Sequence, residues 1–508
     1  MHETEHSAPL FHSLTPTVVA GVAAITLLGL AVRLYGLTSY GLWFDEAYHV
    51  ELVKLPDVWA MLDAVFSNPP SDPLYVLILR PWVAIFGPEA GSIRALSVIF
   101  GTATIPATFV LGRYALGVAA GLWGALFFAL SPYAIELGQE AALYALAALL
   151  TTSALAAGWH WVRTGRGMSL YVVFGVLAIY SHYVVAVILM LFAAFLLTYF
   201  GRDRRERGRW VLANGLVFVS WVPWLVALML HWLASDLPRA TLRHPATPQE
   251  VVGALIQFTS GTASLHQGQR WLWVAGLASA AICLLAGWWP GPRAVRRALL
   301  LMLALFALVF IVPAILSAAS GMWLFVSHFM LFLLPSLFVC LATGIASTRS
   351  AGPAVLRAAA VGALVIWLSV QAWGIVLYNR YPPHGADGLR ELAAHVTSEH
   401  RPGEAVFVTP PALMPTLAQY HKGELTGLPE DFDLRRVYIP YDPLDWHDRS
   451  MGIIAATLAA PGRQRFWLVY RPELDGGGRL LSELRSRYAL FSEQHYDYAD
   501  LFLFAVAP

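Results

Sequence analysis

Charge, lysine and cysteine are all scarce in this sequence, and each shortage excludes a class of protein. Charged residues make up 13% of the 508 residues, and hydrophobic residues make up 58%. Ordinary globular proteins carry about 25% charged residues, so a soluble enzyme and a disordered chain are excluded. Lysine occurs only twice, and a net charge of +1 without a basic stripe excludes a nucleic-acid-binding protein. Cys283 and Cys340 both lie in apolar runs, which excludes a disulfide framework as the source of stability.

The remaining charge is unevenly placed, and this predicts two domains. Residues 1–379 hold 35 of the 65 charged residues, and residues 380–508 hold the other 30. We therefore expect 1–379 to be embedded in a membrane and 380–508 to be a soluble appendage. In the appendage, short runs rich in strand-forming residues alternate with helical ones, which is typical of a small α/β domain.

Long apolar runs dominate the first 379 residues. A helix needs about 20 apolar residues to cross the hydrocarbon layer. The sequence predicts about eleven such helices: 17–37, 91–112, 117–134, 140–162, 169–181, 183–200, 210–232, 271–289, 298–319, 322–346 and 354–378. The first run has no cleavage site, so we expect an uncleaved membrane helix and not a signal peptide.

Arginine placement predicts the orientation, because basic residues favour cytoplasmic loops. One alternate set of loops holds most of the arginines: Arg113, Arg163, Arg166, Arg202, Arg204, Arg205, Arg207, Arg209, Arg293, Arg296, Arg297, Arg349 and Arg357. This asymmetry requires that 73–87 lies in the membrane interface and does not span. The N-terminus is then cytoplasmic, and the loops 38–90 and 233–270 and the C-terminal domain face outward.

The first outer loop carries two adjacent carboxylates, Asp45 and Glu46, at the start of a segment with helical apolar spacing. This predicts an amphipathic helix on the membrane surface, with the carboxylates as catalytic candidates. The alternative is a charge pair that is favoured only by the helix dipole. His49 lies one turn after Asp45, a spacing compatible with a divalent metal, but isolated pairs of this kind are mostly accidental. No metal site is predicted.

Other polar residues lie near the outer ends of apolar helices, where ionisable groups are costly and often functional. Arg94 and Glu140 are two of them, with an internal ion pair, for example with each other, as the alternative. The further candidates for substrate binding are Asp72, Tyr75, Gln139, Tyr144, His182, Tyr183 and His328. For the histidines, packing is the alternative. The apolar stretch 251–258 in the second outer loop is expected to lie on the membrane as a lid.

The order of these segments resembles the GT-C glycosyltransferases, in particular the bacterial group related to protein O-mannosyltransferases and to the aminoarabinose transferase of lipid A modification. The matching segments cover roughly the first 200 residues: Arg33-Leu34, Leu42-Trp43-Phe44-Asp45-Glu46-Ala47, the Pro-Pro to Pro-Leu-Tyr segment at 69–75, Arg94-Ala95-Leu96-Ser97, Ser131-Pro132-Tyr133, Gln139-Glu140-Ala141 with Tyr144, and His182-Tyr183. The hydropathy layout extends the similarity to the whole chain.

Two departures from the family pattern concern the phosphate. Family members often have arginine where Ala142 stands here, and many have an Arg-Tyr pair where Ser327-His328 stands. In the family, both of these cations are candidates for holding the phosphate of a donor, and this sequence lacks them. The remaining candidates for that role are Lys54, Arg80 and Arg94, together with His182 and His328.

The resemblance implies a GT-C fold and a glycosyltransferase of the inner (cytoplasmic) membrane. Such an enzyme moves a sugar from a polyprenyl-phosphate donor to an acceptor hydroxyl on a lipid, glycan or protein outside, with inversion and without another cofactor. By this resemblance Asp45 is the general base, Glu46 and Asp72 orient sugar or acceptor, and Glu140 lies across the cavity. Two other classes remain open at this point: a polytopic transporter or flippase, and an inactive homologue that binds the lipid.

Overall fold

We describe a computed structural model of the chain. It covers residues 14–68, 73–200, 203–234, 245–288, 292–321, 324–346, 353–381, 386–435, 443–471 and 478–506. The elements of the first part are helices: α1 (Pro16–Leu34), α2 (Phe44–Val53), α3 (Val58–Ser67), α4 (Pro73–Phe86), α5 (Ala90–Ala115), α6 (Val118–Leu130), α7 (Pro132–Gln139), α8 (Tyr144–Thr164), α9 (Met168–Ile179), α10 (Tyr183–Leu197), α11 (Arg204–Ala234), α12 (Pro248–Ser260), α13 (Thr262–His266), α14 (Arg270–Trp288), α15 (Arg293–Ser320), a 3₁₀ helix (Ser327–Leu333), α16 (Leu334–Ala346) and α17 (Ala354–Arg380).

The chain is an α-helical membrane protein with many spans. In the described ranges, eight helices are long and apolar enough to cross a membrane, and a bent pair makes up to nine. The predicted spans 169–181 and 183–200 are the two short helices α9 and α10, joined by a tight turn. Counting both of them gives eleven, so that number stays a prediction.

The segment 73–87 forms the 14-residue helix α4. At 1.5 Å per residue it is about 21 Å long, whereas the hydrocarbon core is about 30 Å thick. Because α9 and α10 are similarly short, length does not separate α4 from them, and its interfacial position stays a prediction.

The predicted span 117–134 is instead two helices, α6 and α7, that meet at Ser131 with a bend of 60°. Pro132 stands at the first position of α7, where its missing N–H costs nothing. The end of α6 is capped by Arg33 of α1, which is fully buried and donates to the carbonyls of Phe128 and Ala129. These bonds satisfy groups that the break would otherwise leave without partners.

The stretch 251–258 is not a surface lid. It belongs to α12, whose C-terminal half is buried and whose Gln257–Ser260 turn leads through Gly261 into α13. A Cβ atom on Gly261 would lie 2.7 Å from Pro132 Cβ, so this turn packs directly on the break between α6 and α7. Gln371 of α17 holds it there by donating to the carbonyl of Thr259 at 2.7 Å.

Glycines let several membrane helices pack with their backbones in contact. A Cβ atom on Gly344 of α16 would lie 2.0 Å from the carbonyl oxygen of Cys283 in α14. Gly112 of α5 and Gly121 of α6 face each other in the same way, at 2.5 Å from the built Cβ to the opposite Cα. Small residues at such crossings are a common means of helix association in membranes, because lipid supplies no hydrophobic force between helices.

We expect Gly344→Ala to destabilise the protein in detergent, because the new methyl group would have to push two backbones apart. Overpacking of this kind typically costs about 1–3 kcal/mol. The matched control is Gly362→Ala in α17, where an added Cβ meets nothing within 4 Å. Thermal unfolding should show a lower midpoint for the first variant only, and equal midpoints would contradict this packing.

The C-terminal part contains a five-stranded sheet with helices on both faces. Its elements are α18 (Ala386–Glu399), β1 (Ala405–Thr409), α19 (Met414–Tyr420), β2 (Leu425–Gly427), α20 (Pro443–Leu458), β3 (Arg465–Tyr470), α21 (Arg479–Arg487), β4 (Ala489–His495) and β5 (Asp500–Ala505). The strand order is β2-β1-β3-β5-β4. β1 pairs in parallel with β2 and β3, and β5 is antiparallel to β3 and β4. The α/β character that the sequence predicts is confirmed.

The two faces of this sheet bury separate apolar clusters. On one face α18 and α19 cover Val406, Val408 and Trp467. On the other, α20 and α21 cover Phe407, Phe466 and Phe504. This alternation along β1 is the period of two that a strand buried on both faces requires.

Candidate active site

Glu46 is buried in an ion pair with Arg94. The Nε and Nη2 groups of Arg94 donate to the two carboxylate oxygens at 2.7 and 2.6 Å, and neither side chain is exposed. Glu46 also accepts the backbone N–H of Trp43, which caps α2, and that of Ala141 at 2.9 Å. The carboxylate therefore ties the start of α2 to α5 and to the turn after α7.

Every N–H group of Arg94 has an acceptor. Nη1 donates to the carbonyls of Leu37 and Tyr40, and the second Nη2 hydrogen reaches the carbonyl of Gly41. The guanidinium also lies 4.1 Å above the ring of Tyr40. Arg94 thus organises the loop between α1 and α2 and has no donor left for a phosphate. The sequence pattern offered Glu140 as a partner for Arg94. In the structure the carboxylate paired with Arg94 is that of Glu46.

Gln139 fixes the other side of the same turn. Its side-chain N–H groups donate to the carbonyls of Arg33 and Tyr35 at the end of α1. Its Oε1 accepts the hydroxyl of Tyr378 in α17 at 2.6 Å, and Tyr378 is 2.9 Å from the hydroxyl of Tyr40. Gln139 is therefore a structural connection between three parts of the bundle.

Glu140 is buried and stands between the two fixed residues Gln139 and Ala141. The carboxylates of Glu136 and Glu140 lie close enough to Tyr133 and Tyr378 to interact with both electrostatically. Two buried acidic side chains in an apolar bundle are costly, so this cluster of carboxylates and tyrosines is a candidate for contact with a polar substrate.

Asp45 is in the first turn of α2 and is partly exposed, unlike its neighbour Glu46. The helix N-terminus favours its negative charge. Since Glu46 contacts the backbone of Ala141, Asp45 and Glu140 each adjoin one of the two residues in that contact. The structure thus links the chain segment that holds Asp45 to the segment that holds Glu140.

Helix α2 does not lie on the membrane surface as predicted. Six of its ten residues are buried, among them Ala47, Val50 and Val53 of the apolar stripe. It packs beneath α19 and beside α4, so its apolar face meets protein.

His49 packs against this site but faces a carbonyl. Its Nδ1–H donates to the carbonyl of Ala141 at 3.1 Å, and its ring lies 5.2 Å from that of Tyr75. Burial lowers the pKa of His49 to about 4, so the ring is neutral near pH 7. In the described part of the chain, no group of three or more His, Cys, Asp or Glu side chains comes together as metal ligands would.

Tyr75 is buried at the start of α4, with its hydroxyl 3.4 Å from that of Ser97. Asp72, which precedes α4, lies outside the described residues.

The two other predicted phosphate ligands are engaged elsewhere. Lys54 pairs with Glu51 at 2.7 Å and lies nine residues beyond Asp45, about 13 Å along the helix axis. Arg80 donates to the carbonyls of Val53, Leu55 and Pro56 and so closes the C-terminal end of α2. Both residues stabilise the first outer loop.

His182 caps α10, because its Nδ1 accepts the backbone N–H of Val184 at 3.1 Å. It is buried among the rings of Tyr183, Phe329 and Phe332. The packing alternative describes His182 better than a ligand role does.

His328 has a different environment. It is partly exposed at the second position of the 3₁₀ helix, and its ring lies 5.4 Å from Tyr144 and 6.5 Å from Tyr133. Tyr133 is also the tyrosine next to Glu136 and Glu140. His328 and Tyr144 therefore lie beside the cluster of buried acidic and tyrosine side chains.

The sequence patterns did not predict the structural roles of Tyr40, Tyr378 and Arg33. An arginine inside an apolar helix is a recognisable signal, so Arg33 could have been found. The two tyrosines had no such signal, because their pairing joins positions 338 residues apart.

Known structures share this architecture over nearly the whole chain. ArnT from Cupriavidus metallidurans in the apo state superposes with a TM-score of 0.60 at 11% identity, covering 97% of this chain and all of that one. The same protein bound to undecaprenyl phosphate gives 0.59 at 15% identity, covering 98% of this chain and all of that one. The archaeal oligosaccharyltransferase AglB from Archaeoglobus fulgidus, in complex with an inhibitory peptide and a dolichol-phosphate, gives 0.53 at 12% identity, covering 96% of this chain and 74% of that one.

The chain has the GT-C fold. No family model matches the sequence, and no curated protein sequence matches it. The likeness is therefore carried by structure: the expected fold is confirmed, while the substrate has to be argued from the site.

Within this GT-C fold we expect Glu46→Gln to destabilise the protein strongly, because it leaves Arg94 buried without a counter-charge. Breaking one side of a buried ion pair typically costs about 3–5 kcal/mol. Glu51→Gln on the same helix is the control, since the Glu51–Lys54 pair is partly exposed and such pairs contribute about 0–1 kcal/mol. Thermal unfolding in detergent would refute the structural role of Glu46 if the two midpoints were alike.

Proposed function

We propose that this protein is a membrane glycosyltransferase that transfers a sugar from a polyprenyl-phosphate carrier to an acceptor hydroxyl, with Asp45 as general base. The observation that carries the proposal is that the adjacent carboxylates Asp45 and Glu46 have different environments. Glu46 is consumed by Arg94 and two backbone N–H groups, while Asp45 is partly exposed at the helix start. The fold shared with ArnT bound to undecaprenyl phosphate supports a lipid-phosphate donor.

The reaction would proceed by inversion in one displacement. Asp45 accepts the proton of the acceptor hydroxyl as its oxygen bonds to the anomeric carbon. The bond from that carbon to the phosphate oxygen breaks, and its electron pair leaves with the polyprenyl phosphate. A phosphate is a good leaving group, so the two-carboxylate arrangement of glycosidases, with its acid, is not needed.

We assign donor binding to the cluster around Glu140. Arg94, Arg80 and Lys54 donate to protein groups. We assign the phosphate contact to His328, which is partly exposed and lies beside Tyr133 and Tyr144. Protonated imidazole or a neutral ring N–H can donate to a phosphate oxygen. Glu140 would then hold sugar hydroxyls.

The proposed orientation places this site on the outer face of the inner membrane. Arg113 and Arg163 lie in the last turns of α5 and α8, whose opposite ends hold Arg94 and Tyr144, and basic loops favour the cytoplasm. The lipid tail would remain in the bilayer, and the acceptor lipid, glycan or protein would enter from outside beneath the C-terminal sheet.

The alternative of a lipid-binding homologue without turnover has one observation in its favour. All three predicted phosphate cations are occupied by protein groups, as described above, so donor activation would depend on a histidine. Binding of polyprenyl phosphate together with no transfer from any lipid-linked sugar would support that alternative.

We expect Asp45→Asn to reduce transfer by at least about 10²-fold, because general-base catalysis typically contributes 10²–10⁴-fold. Asp57→Asn is the matched control: it makes the same chemical change in the same loop, and asparagine can still cap α3 as Asp57 does. The measurement is transfer in detergent from defined polyprenyl-phosphate sugars, with the unfolding midpoint of each variant recorded.

Full activity of the Asp45 variant would refute the assignment of the base. Equal losses in both variants would point to disturbance of the loop and would count against Asp45 in the same way.

A further inference from the structure

The C-terminal sheet domain is attached to the loop that carries Asp45. The contacts come from α19 and from the chain after β2, and they reach the first outer loop along its length: Tyr420 to Leu42, Phe432 to Phe44, Gln419 to Glu51, Arg435 to Asp63 and the carbonyl of Leu434 to Asn68. Nothing in the proposed chemistry uses them.

The contact of Tyr420 is the one nearest the proposed base. Its hydroxyl accepts the backbone N–H of Leu42 at 2.6 Å. Leu42 is buried and stands two residues before the first residue of α2. Burial raises the pKa of Tyr420, and its hydrogen bond with the backbone of Leu42 lowers it.

This bond completes the support of the α2 N-terminus. Three consecutive residues there each have a backbone group held by a side chain: the carbonyl of Gly41 by Arg94 of α5, the N–H of Leu42 by Tyr420 of α19, and the N–H of Trp43 by Glu46 of α2 itself. A buried N–H that loses its partner costs about 1–3 kcal/mol, so without Tyr420 this turn would open or shift.

The ring of Phe432 adds a second restraint. It meets Phe44 edge-on at 6.4 Å, and Phe44 stacks on Tyr48 one turn further along α2. Phe44 and Glu46 flank Asp45 in the sequence, so the residues on both sides of the base are fixed by different parts of the molecule.

We propose that Tyr420 is a positioning residue: through the N–H of Leu42 it sets where the Asp45 carboxylate lies, so that the C-terminal domain is part of the site. This inference rests on the proposed function. Misplacement of a catalytic group by about 1 Å can cost on the order of 10²-fold in rate, which makes even a small shift of the α2 start measurable.

The test compares Tyr420→Phe with Tyr496→Phe in the full-length protein. Both variants keep the ring and lose one hydrogen-bonded hydroxyl of the same domain, since the hydroxyl of Tyr496 donates to Gln494 at 2.9 Å. For Tyr420→Phe we expect kcat to fall by about ten- to hundredfold with an unchanged KM for the lipid-linked donor. Tyr496→Phe should match the wild type.

Hydrogen–deuterium exchange supplies a readout that needs no turnover. The backbone N–H groups of residues 42–47 should exchange faster in Tyr420→Phe, while those of α5 stay protected. Unchanged exchange in 42–47 overturns the proposal, and so does faster exchange with an unchanged kcat.

The two proposals fail in different ways. If the wild type transfers no sugar at all, the proposed function fails while the exchange experiment still tests the attachment. If the wild type is active, Asp45→Asn is inactive and Tyr420→Phe is fully active, the proposed function stands and Tyr420 has no positioning role.

Discussion

The buried pair of Glu46 and Arg94 is the interaction on which the site depends. It joins α2, α5, the α1–α2 loop and the turn after α7 through seven hydrogen bonds, five from Arg94 and two backbone N–H groups accepted by Glu46. Desolvating two charges is expensive, and only excellent geometry with further hydrogen bonds compensates for it. Here that condition is met, so the pair specifies one arrangement of four chain segments. The chain on one side of Asp45 and of Glu140 is thereby held in place, through Glu46 and Ala141.

This arrangement explains why adjacent residues of one type have different parts to play. In an α-helix successive side chains point about 100° apart, since 3.6 residues make a turn. Because Glu46 points to Arg94, Asp45 points away from that ion pair and is partly exposed. Helix geometry thus gives the two carboxylates separate roles: Glu46 stabilises the loop, and Asp45 is the proposed general base.

The sequence predicted features that depend on neighbouring residues better than features that depend on contacts between distant segments. Apolar length and arginine placement predicted the membrane part, and short runs rich in strand-forming residues between helical runs predicted the α/β domain, because those signals are local. The polar edge strand β4 and the three-residue β2 carry little apolar pattern and were missed. The order of motifs brought Asp45, Glu46, Arg94 and Glu140 forward as candidates. It could not show that Arg94 forms its ion pair with Glu46, or that Lys54 and Arg80 bind groups of the first outer loop. Those contacts are set by how the folded segments pack.

Arg33 has a consequence for how the chain assembles in the membrane. Its guanidinium binds the end of α6 and its carbonyl binds Gln139 at the end of α7, yet α1 is made some 85 residues before α6 starts. Until then Arg33, in the last turn of α1, has an acceptor only within its own helix, the carbonyl of Gly29. The first helix therefore gains its bonds to distant parts of the chain only when the bent pair packs against it.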